Sequence, residues 1–145
     1  MRDLPRQLSA EQLAELFEGR TRFVELLAGT EDPLGNARTV ALELTAEEKK
    51  EILDAHPPIG GEATSERSAR EQGTDDDPEV LAELARLNAE YEAKFGFRFV
   101  VFVNGRPRRE IVPILEERLQ RTREEELTTA VDELVQIAVN RWVTS

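Results

Sequence analysis

The chain has 145 residues, which is enough for one domain with a hydrophobic core, and 34% of them are charged. Thirty acidic residues against nineteen basic ones give a formal net charge of −11, which opposes binding to nucleic acids and to anionic membranes. The sequence contains no cysteine, which excludes disulfides and thiolate metal sites.

The distribution of apolar residues predicts a water-soluble protein. No long apolar run follows the first charged residues, so we expect no signal peptide. No window approaches the roughly 20 apolar residues that span a membrane. Together with the missing cysteines, these features lead us to expect a cytoplasmic protein.

Three capping boxes predict where helices begin in the chain. Ser or Thr is followed three residues later by Gln or Glu at 9–12, 45–48 and 122–125, and in each case an apolar periodicity follows. The Pro- and Gly-containing stretch 31–35 is predicted to be a turn, with a helix over 36–44.

The second half of the chain is also predicted to be mainly helical. Asp77-Pro78 is a strong start signal for a helix that Gly96 would end. Residues 97–103 are β-branched and aromatic, but no second such run exists to pair with them. A further helix is expected after Pro107, with Pro113 either kinking it or lying in its first turn. We therefore predict an all-α, single-domain helical bundle over residues 1–145, with one buried extended segment near residues 97–103.

His56 is the only histidine and lies in the sequence HPPIG, at the predicted end of a helix. It is the side chain that titrates near neutral pH without a shifted pKa, so it is a candidate acid–base group. The alternative is a histidine that interacts with the dipole at the helix C-terminus.

Two further helices carry polar candidates. Ser68, Glu71 and Gln72 are spaced i, i+3, i+4 and share one face, either as part of a site or as a solvated surface. Arg141 continues an apolar stripe on the last helix (Leu127, Val131, Leu134 and Ala138). Its guanidinium either extends to solvent or caps that helix, or it faces a carboxylate or urea oxygen in a cleft.

Several motifs together resemble one known family. The motifs that carry the resemblance are, in this order and spacing, HPPIG, SAREQG, LNAEYEAKFGFRFVV, GRPRREIVPILEERL and ELVQIAVNRW. Through them the chain resembles the 2-oxo-4-hydroxy-4-carboxy-5-ureidoimidazoline (OHCU) decarboxylase family of urate degradation. The resemblance covers about residues 45–142. An aromatic-rich N-terminal helix of the family is replaced here by LFEGRTRFVELLAG, and Arg98 stands where the family often has proline.

The resemblance implies a function and a set of site residues. It implies an all-helical, cofactor-free and often homodimeric enzyme that needs no metal and converts OHCU to (S)-allantoin and CO2. His56 matches the catalytic histidine and Glu71 its partner. The matching substrate contacts are Pro57, Ser68, Gln72, Arg141 and the backbone of the segment Phe97, Arg98, Phe99, Val100 and Val101.

The residue types suit this chemistry. The substrate's own ring C=N can accept the electron pair that CO2 leaves behind, so proton control by His56 and Glu71 is what remains for the protein. Two alternatives stay open: a related enzyme of the same fold that acts on another ureido or oxo-acid substrate, and a non-enzymatic acidic helical interaction module. We expect a small-molecule substrate, with no nucleic-acid or membrane partner.

Overall fold

A computed structural model describes residues 3–56 and 77–144, and within these ranges all regular secondary structure is helical. The bounds of the helices are α1 Ala10–Phe17, α2 Arg22–Ala28, α3 Pro33–Leu42, α4 Ala46–Asp54, α5 Pro78–Phe95, α6 Arg108–Arg118 and α7 Arg123–Thr144. The predicted all-α class is confirmed. None of the helices in these ranges is long and apolar enough to cross a membrane.

The three predicted capping boxes are all present. Ser9 and Thr45 each accept the N3 backbone N–H, and the N3 side chain returns a bond to the cap backbone. Thr122 and Glu125 form the same pair of bonds, at 3.0 and 3.2 Å. Asp77 caps α5, and Gly96 ends it in the left-handed conformation at φ +80°, where a Cβ would be strained.

One local prediction was wrong in part, and one of two alternatives for Pro113 is excluded. Residues 33–35 of the stretch predicted as a turn at 31–35 are the start of α3, because the Asp32 side chain accepts the Gly35 N–H and Pro33 occupies the first helical position. Helix α6 begins at Arg108 and continues through Pro113, so this proline is not in the first turn.

The long helix α7 organises the core. It packs against α1, α3 and α4, while α5 packs against α6 and the short helices α1, α2 and α3 pack in succession. The predicted apolar stripe of α7 is buried along its length. Helix α7 therefore packs against three of the four helices that precede residue 56.

The extended segment (residues 97–103) is buried, as predicted, and no strand pairs with it within the described ranges. Phe97 and Phe99 pack edge-on against Tyr91 of α5, with ring centroids 5.8 and 5.2 Å away. Aromatic burial of this kind is a large apolar contribution to stability. It fixes the segment alongside α5 without a sheet.

Candidate active site

His56 lies just beyond the C-terminal end of α4. Ala55 is the C-cap of the helix, and the His56 N–H donates to the Leu53 carbonyl at 3.1 Å. The residue is half-buried, and its Nδ1 atom is buried without a hydrogen-bond partner among the described residues. A buried ring nitrogen with unused hydrogen-bonding capacity is available to a bound molecule.

Arg141 is buried at the far end of the α7 stripe, with 3% of its surface exposed. Its Nη1 donates to the Leu16 carbonyl at 2.7 Å, and its Nη2 lies 2.9 Å from Glu18 Oε1. The alternative in which this guanidinium extends to solvent is therefore wrong. Two fixed partners hold its planar fork in one orientation.

Glu18 was not identified from the sequence. It follows the last residue of α1 in the left-handed conformation, at φ 64°, which is unfavourable for a residue with a Cβ. Its side chain is only 9% exposed. A buried carboxylate needs a partner, and Arg141 provides it across the fold. The only feature of the sequence that could have pointed to Glu18 is its position directly before Gly19, at the end of α1.

The charges around His56 favour its neutral form. The pKa of His56 is lowered to about 4. Burial is the largest cause, the Arg141 guanidinium and then Arg98 add to the lowering, and the Glu18 carboxylate opposes it. The structure thus brings three predicted site residues, His56, Arg98 and Arg141, into one electrostatic environment. At neutral pH the imidazole is a base rather than an acid.

Side chains satisfy much of the backbone of the extended segment. The Val100 carbonyl accepts from Arg118 Nη1 at 2.7 Å, and the Phe102 N–H donates to Glu133 at 3.3 Å. Arg106 Nη2 donates to the Phe102 carbonyl at 2.6 Å. Since Phe97, Phe99, Val100 and Val101 have buried side chains, any contact between these residues and a substrate would use their backbone.

A buried ionic cluster lies behind this segment and was also missed. Glu126 is fully buried; its Oε1 accepts from Arg118 Nε at 2.8 Å and from the Tyr91 hydroxyl at 2.6 Å, and its Oε2 pairs with Arg121 at 3.0 Å. The Arg118 guanidinium also lies 4.5 Å from the centroid of the Phe99 ring. The cluster connects α5, α6, α7 and the extended segment.

Four predicted site residues, Pro57, Ser68, Glu71 and Gln72, lie outside the described residues, so their roles remain predictions. Within the described ranges, no group of three or more His, Asp or Glu side chains is arranged to hold a metal ion.

The low pKa of His56 makes a testable prediction about acid stability. The unfolded chain binds a proton near pH 6.5 and the folded chain only near pH 4, so the stability from this group falls as the pH drops through that window. The loss is about 3 kcal/mol at most, given roughly 1.4 kcal/mol per pKa unit. The His56 Cε1–H NMR signal, unique in this chain, should titrate near pH 4, and His56→Gln should remove that part of the pH dependence. A midpoint near 6.5 would contradict the structure.

The described residues form an all-helical bundle in which the half-buried His56 and the fixed Arg141 guanidinium share one electrostatic environment. The model of the OHCU decarboxylase family matches residues 2–142. The chain belongs to the OHCU decarboxylase family, whose members are carboxy-lyases.

Individual relatives agree with this assignment. The chain is 32% identical over 113 residues to the 2-oxo-4-hydroxy-4-carboxy-5-ureidoimidazoline decarboxylase of Haloferax volcanii, covering 74% of this chain and 67% of that protein. It is 34% identical over 97 residues to the uric acid degradation bifunctional protein of Arabidopsis thaliana, covering 60% of this chain and 30% of that protein. A similar bifunctional protein of Bacillus sp. is 30% identical over 99 residues, covering 65% of this chain and 20% of that protein. The chain therefore spans less than a third of these bifunctional relatives.

Solved structures share the fold. A crystal structure of OHCU decarboxylase in the presence of (S)-allantoin matches with a TM-score of 0.76 and 25% identity, covering 90% of this chain and 94% of that chain. A crystal structure of (S)-allantoin synthase matches in fold with a TM-score of 0.69 and 22% identity, covering 93% of this chain and 48% of that chain.

Proposed function

We propose that this chain decarboxylates OHCU to (S)-allantoin and CO2 in urate degradation, without a cofactor. The observation that carries the proposal is the half-buried His56, which lies in the electrostatic environment of the fixed Arg141 guanidinium. Its buried Nδ1 has no hydrogen-bond partner in the described part of the chain. Membership of the OHCU decarboxylase family supports it.

The reaction needs proton transfers but no external electron acceptor. The bond between the ring carbon and the carboxylate breaks, and its electron pair moves toward the adjacent ring C=N, whose nitrogen takes a proton. The 4-hydroxyl then loses its proton as a carbonyl forms, and the neighbouring carbon gains a proton on one face. Overall, CO2 leaves and one proton replaces it.

His56 is the acid–base group in this proposal. Because its surroundings favour the neutral imidazole, it first accepts the 4-hydroxyl proton as a base. The resulting imidazolium is a strong acid in this environment, which favours delivery of the proton to carbon. Glu71, as the partner of His56, would fix the orientation of the ring.

The other site residues hold the substrate. Arg141 presents a guanidinium that Glu18 and the Leu16 carbonyl keep in place, which suits a substrate carboxylate. Pro57, Ser68, Gln72 and the backbone of residues 97–101 would bind the ureido and ring amides and so decide which face is protonated.

A second candidate is a related enzyme of the same fold that acts on another ureido or oxo-acid substrate. Arg98 favours it, because a second guanidinium lies close enough to influence His56 where the family often has proline. A non-enzymatic interaction module is disfavoured, since it gives no reason for His56 and Arg141 to share one environment.

The test is a stereochemical assay with freshly generated OHCU. The enzyme should form allantoin faster than the spontaneous reaction does, and circular dichroism should show an excess of the (S) enantiomer. Racemic allantoin at the uncatalysed rate would contradict OHCU as the substrate, and other ureido and oxo acids would then be assayed for released CO2.

The proposal also includes a single OHCU decarboxylase-like domain over residues 1–145, a cytoplasmic location and a homodimer. The absence of cysteine suits a reducing compartment, and the family resemblance implies dimers. Light scattering coupled to size-exclusion chromatography would test the assembly, with a monomeric mass contradicting it.

A further inference from the structure

The end of α4 and the extended segment are bonded to each other in both directions. The Asp54 carboxylate accepts the backbone N–H of Arg98 at 3.1 Å. In return, Arg98 Nη1 donates to the Asp54 carbonyl at 3.1 Å and to the His56 carbonyl at 2.6 Å. Each side chain therefore binds the backbone of the other segment.

These hydrogen bonds restrain the backbone of His56, the proposed acid–base residue. The last carbonyls of a helix have no partner within the helix, and a guanidinium can satisfy two of them from one nitrogen. Here one of the two carbonyls belongs to His56 itself. The position of the His56 backbone is thus tied directly to the extended segment.

The two side chains are themselves held by neighbours. Lys50 pairs with the other carboxylate oxygen of Asp54 at 2.5 Å, and Arg98 Nε lies 3.5 Å from Glu92 of α5, an ion pair without a hydrogen bond. Arg98 is half-buried, so its orientation is constrained more than that of an exposed arginine.

We propose that Arg98 and Asp54 are positioning residues that form a reciprocal clamp and hold His56 in register with the backbone of residues 97–101. The clamp rests on the proposed function of His56. A proline at position 98 has neither a backbone N–H nor a guanidinium, so it cannot form any of the three bonds. The clamp is therefore a property of chains that have arginine here.

Arg98 also contributes to the charge that faces His56. Among the residues that the structure describes, the charged groups that act on the imidazole are Arg141 from α7, Glu18 from the end of α1 and Arg98 from the extended segment. Asp54, on the helix that precedes His56, is paired to Lys50. Removing Arg98 takes away one of the two described cations that lower this pKa and leaves the other, Arg141, opposed by Glu18. The pKa of His56 should then rise.

The test compares Arg98→Ala and Asp54→Ala with the matched control Arg86→Ala, an exposed arginine of α5 paired with Glu83 and Glu90. Because the clamp sets geometry, both site variants should lower kcat by about 10- to 100-fold with KM changed less than about threefold. Asp54→Asn keeps an oxygen acceptor for the Arg98 N–H and should restore most of kcat. In Arg98→Ala, the His56 NMR signal should titrate at a higher pH than in the wild type.

The result separates this inference from the proposed function. If His56→Gln removes turnover while both alanine variants match Arg86→Ala, the clamp is wrong and the function stands. An unchanged His56 titration in Arg98→Ala, or an Asp54→Asn variant as impaired as Asp54→Ala, also overturns the clamp. If Arg98→Ala fails to fold, the comparison of kcat between Asp54→Ala and Asp54→Asn tests the clamp instead. The NMR titration needs no substrate, so it does not depend on the proposed function.

Discussion

His56→Gln should lower kcat for OHCU decarboxylation by about 10²- to 10⁴-fold, the usual effect of removing an acid–base group. Glutamine approximates the size and polarity of histidine but cannot exchange a proton near neutral pH. The fold should persist, because the buried Nδ1 of His56 makes no hydrogen bond within the described part of the chain. Steady-state rates with freshly generated substrate, beside circular dichroism spectra, would measure both effects.

Lys49→Gln is a suitable control for this substitution. Lys49 lies on the same helix, α4, and its replacement removes a charge outside the proposed site. This variant should retain nearly full activity. If the kcat of His56→Gln were close to that of the control, His56 would not be the acid–base group, and the proposed mechanism would be wrong.

Glu126→Ala should destabilise the fold by about 3–5 kcal/mol, the cost of breaking a buried ion pair on one side. Glu126 is fully buried and accepts from Arg118, Arg121 and Tyr91, so its loss leaves the Arg118 guanidinium buried without its carboxylate. Burial also raises the pKa of the Tyr91 phenol, which stays protonated as a donor. Denaturant unfolding monitored by circular dichroism would give the change in free energy of unfolding.

The double variant Arg118→Met/Glu126→Leu separates lost pairing from lost packing. It should recover part of the stability, because the buried Arg118 guanidinium is no longer left without its carboxylate. Recovery should be incomplete, since the Val100 carbonyl also loses its donor. Arg86→Ala breaks exposed ion pairs and should cost no more than about 1 kcal/mol. A Glu126→Ala variant as stable as this control would contradict the importance of the cluster.

Local signals in the sequence were sufficient for most of the fold. The capping boxes at Ser9, Thr45 and Thr122 and the left-handed Gly96 depend only on residues within a few positions of each other, so they could be read directly. The segment 97–103 was identified because it is too apolar to be exposed. The start of α3 was missed because Asp32 and Pro33 also occur in turns.

The buried carboxylates Glu18 and Glu126 could not be predicted in the same way. Glu126 stands in the first turn of α7, where an acidic residue is normally solvated, and Arg118 stands in a run of charged residues. Their burial depends on Tyr91 and Val100, which come from other elements. Glu18 and Arg141 likewise become partners only through tertiary structure. Sequence periodicity places apolar residues in the core, but it does not identify which ions are buried with them.

The bond between Arg141 and the Leu16 carbonyl joins positions that are 125 residues apart. A ribosome releases α1 before α7, so the Glu18 carboxylate cannot pair with the Arg141 guanidinium until Arg141 has been synthesised. The nascent chain can form its short helices as they emerge, but Arg141 can pair with Glu18 and the Leu16 carbonyl only after α7 has left the exit tunnel. The charged environment of His56 is therefore completed only after α7 has been synthesised.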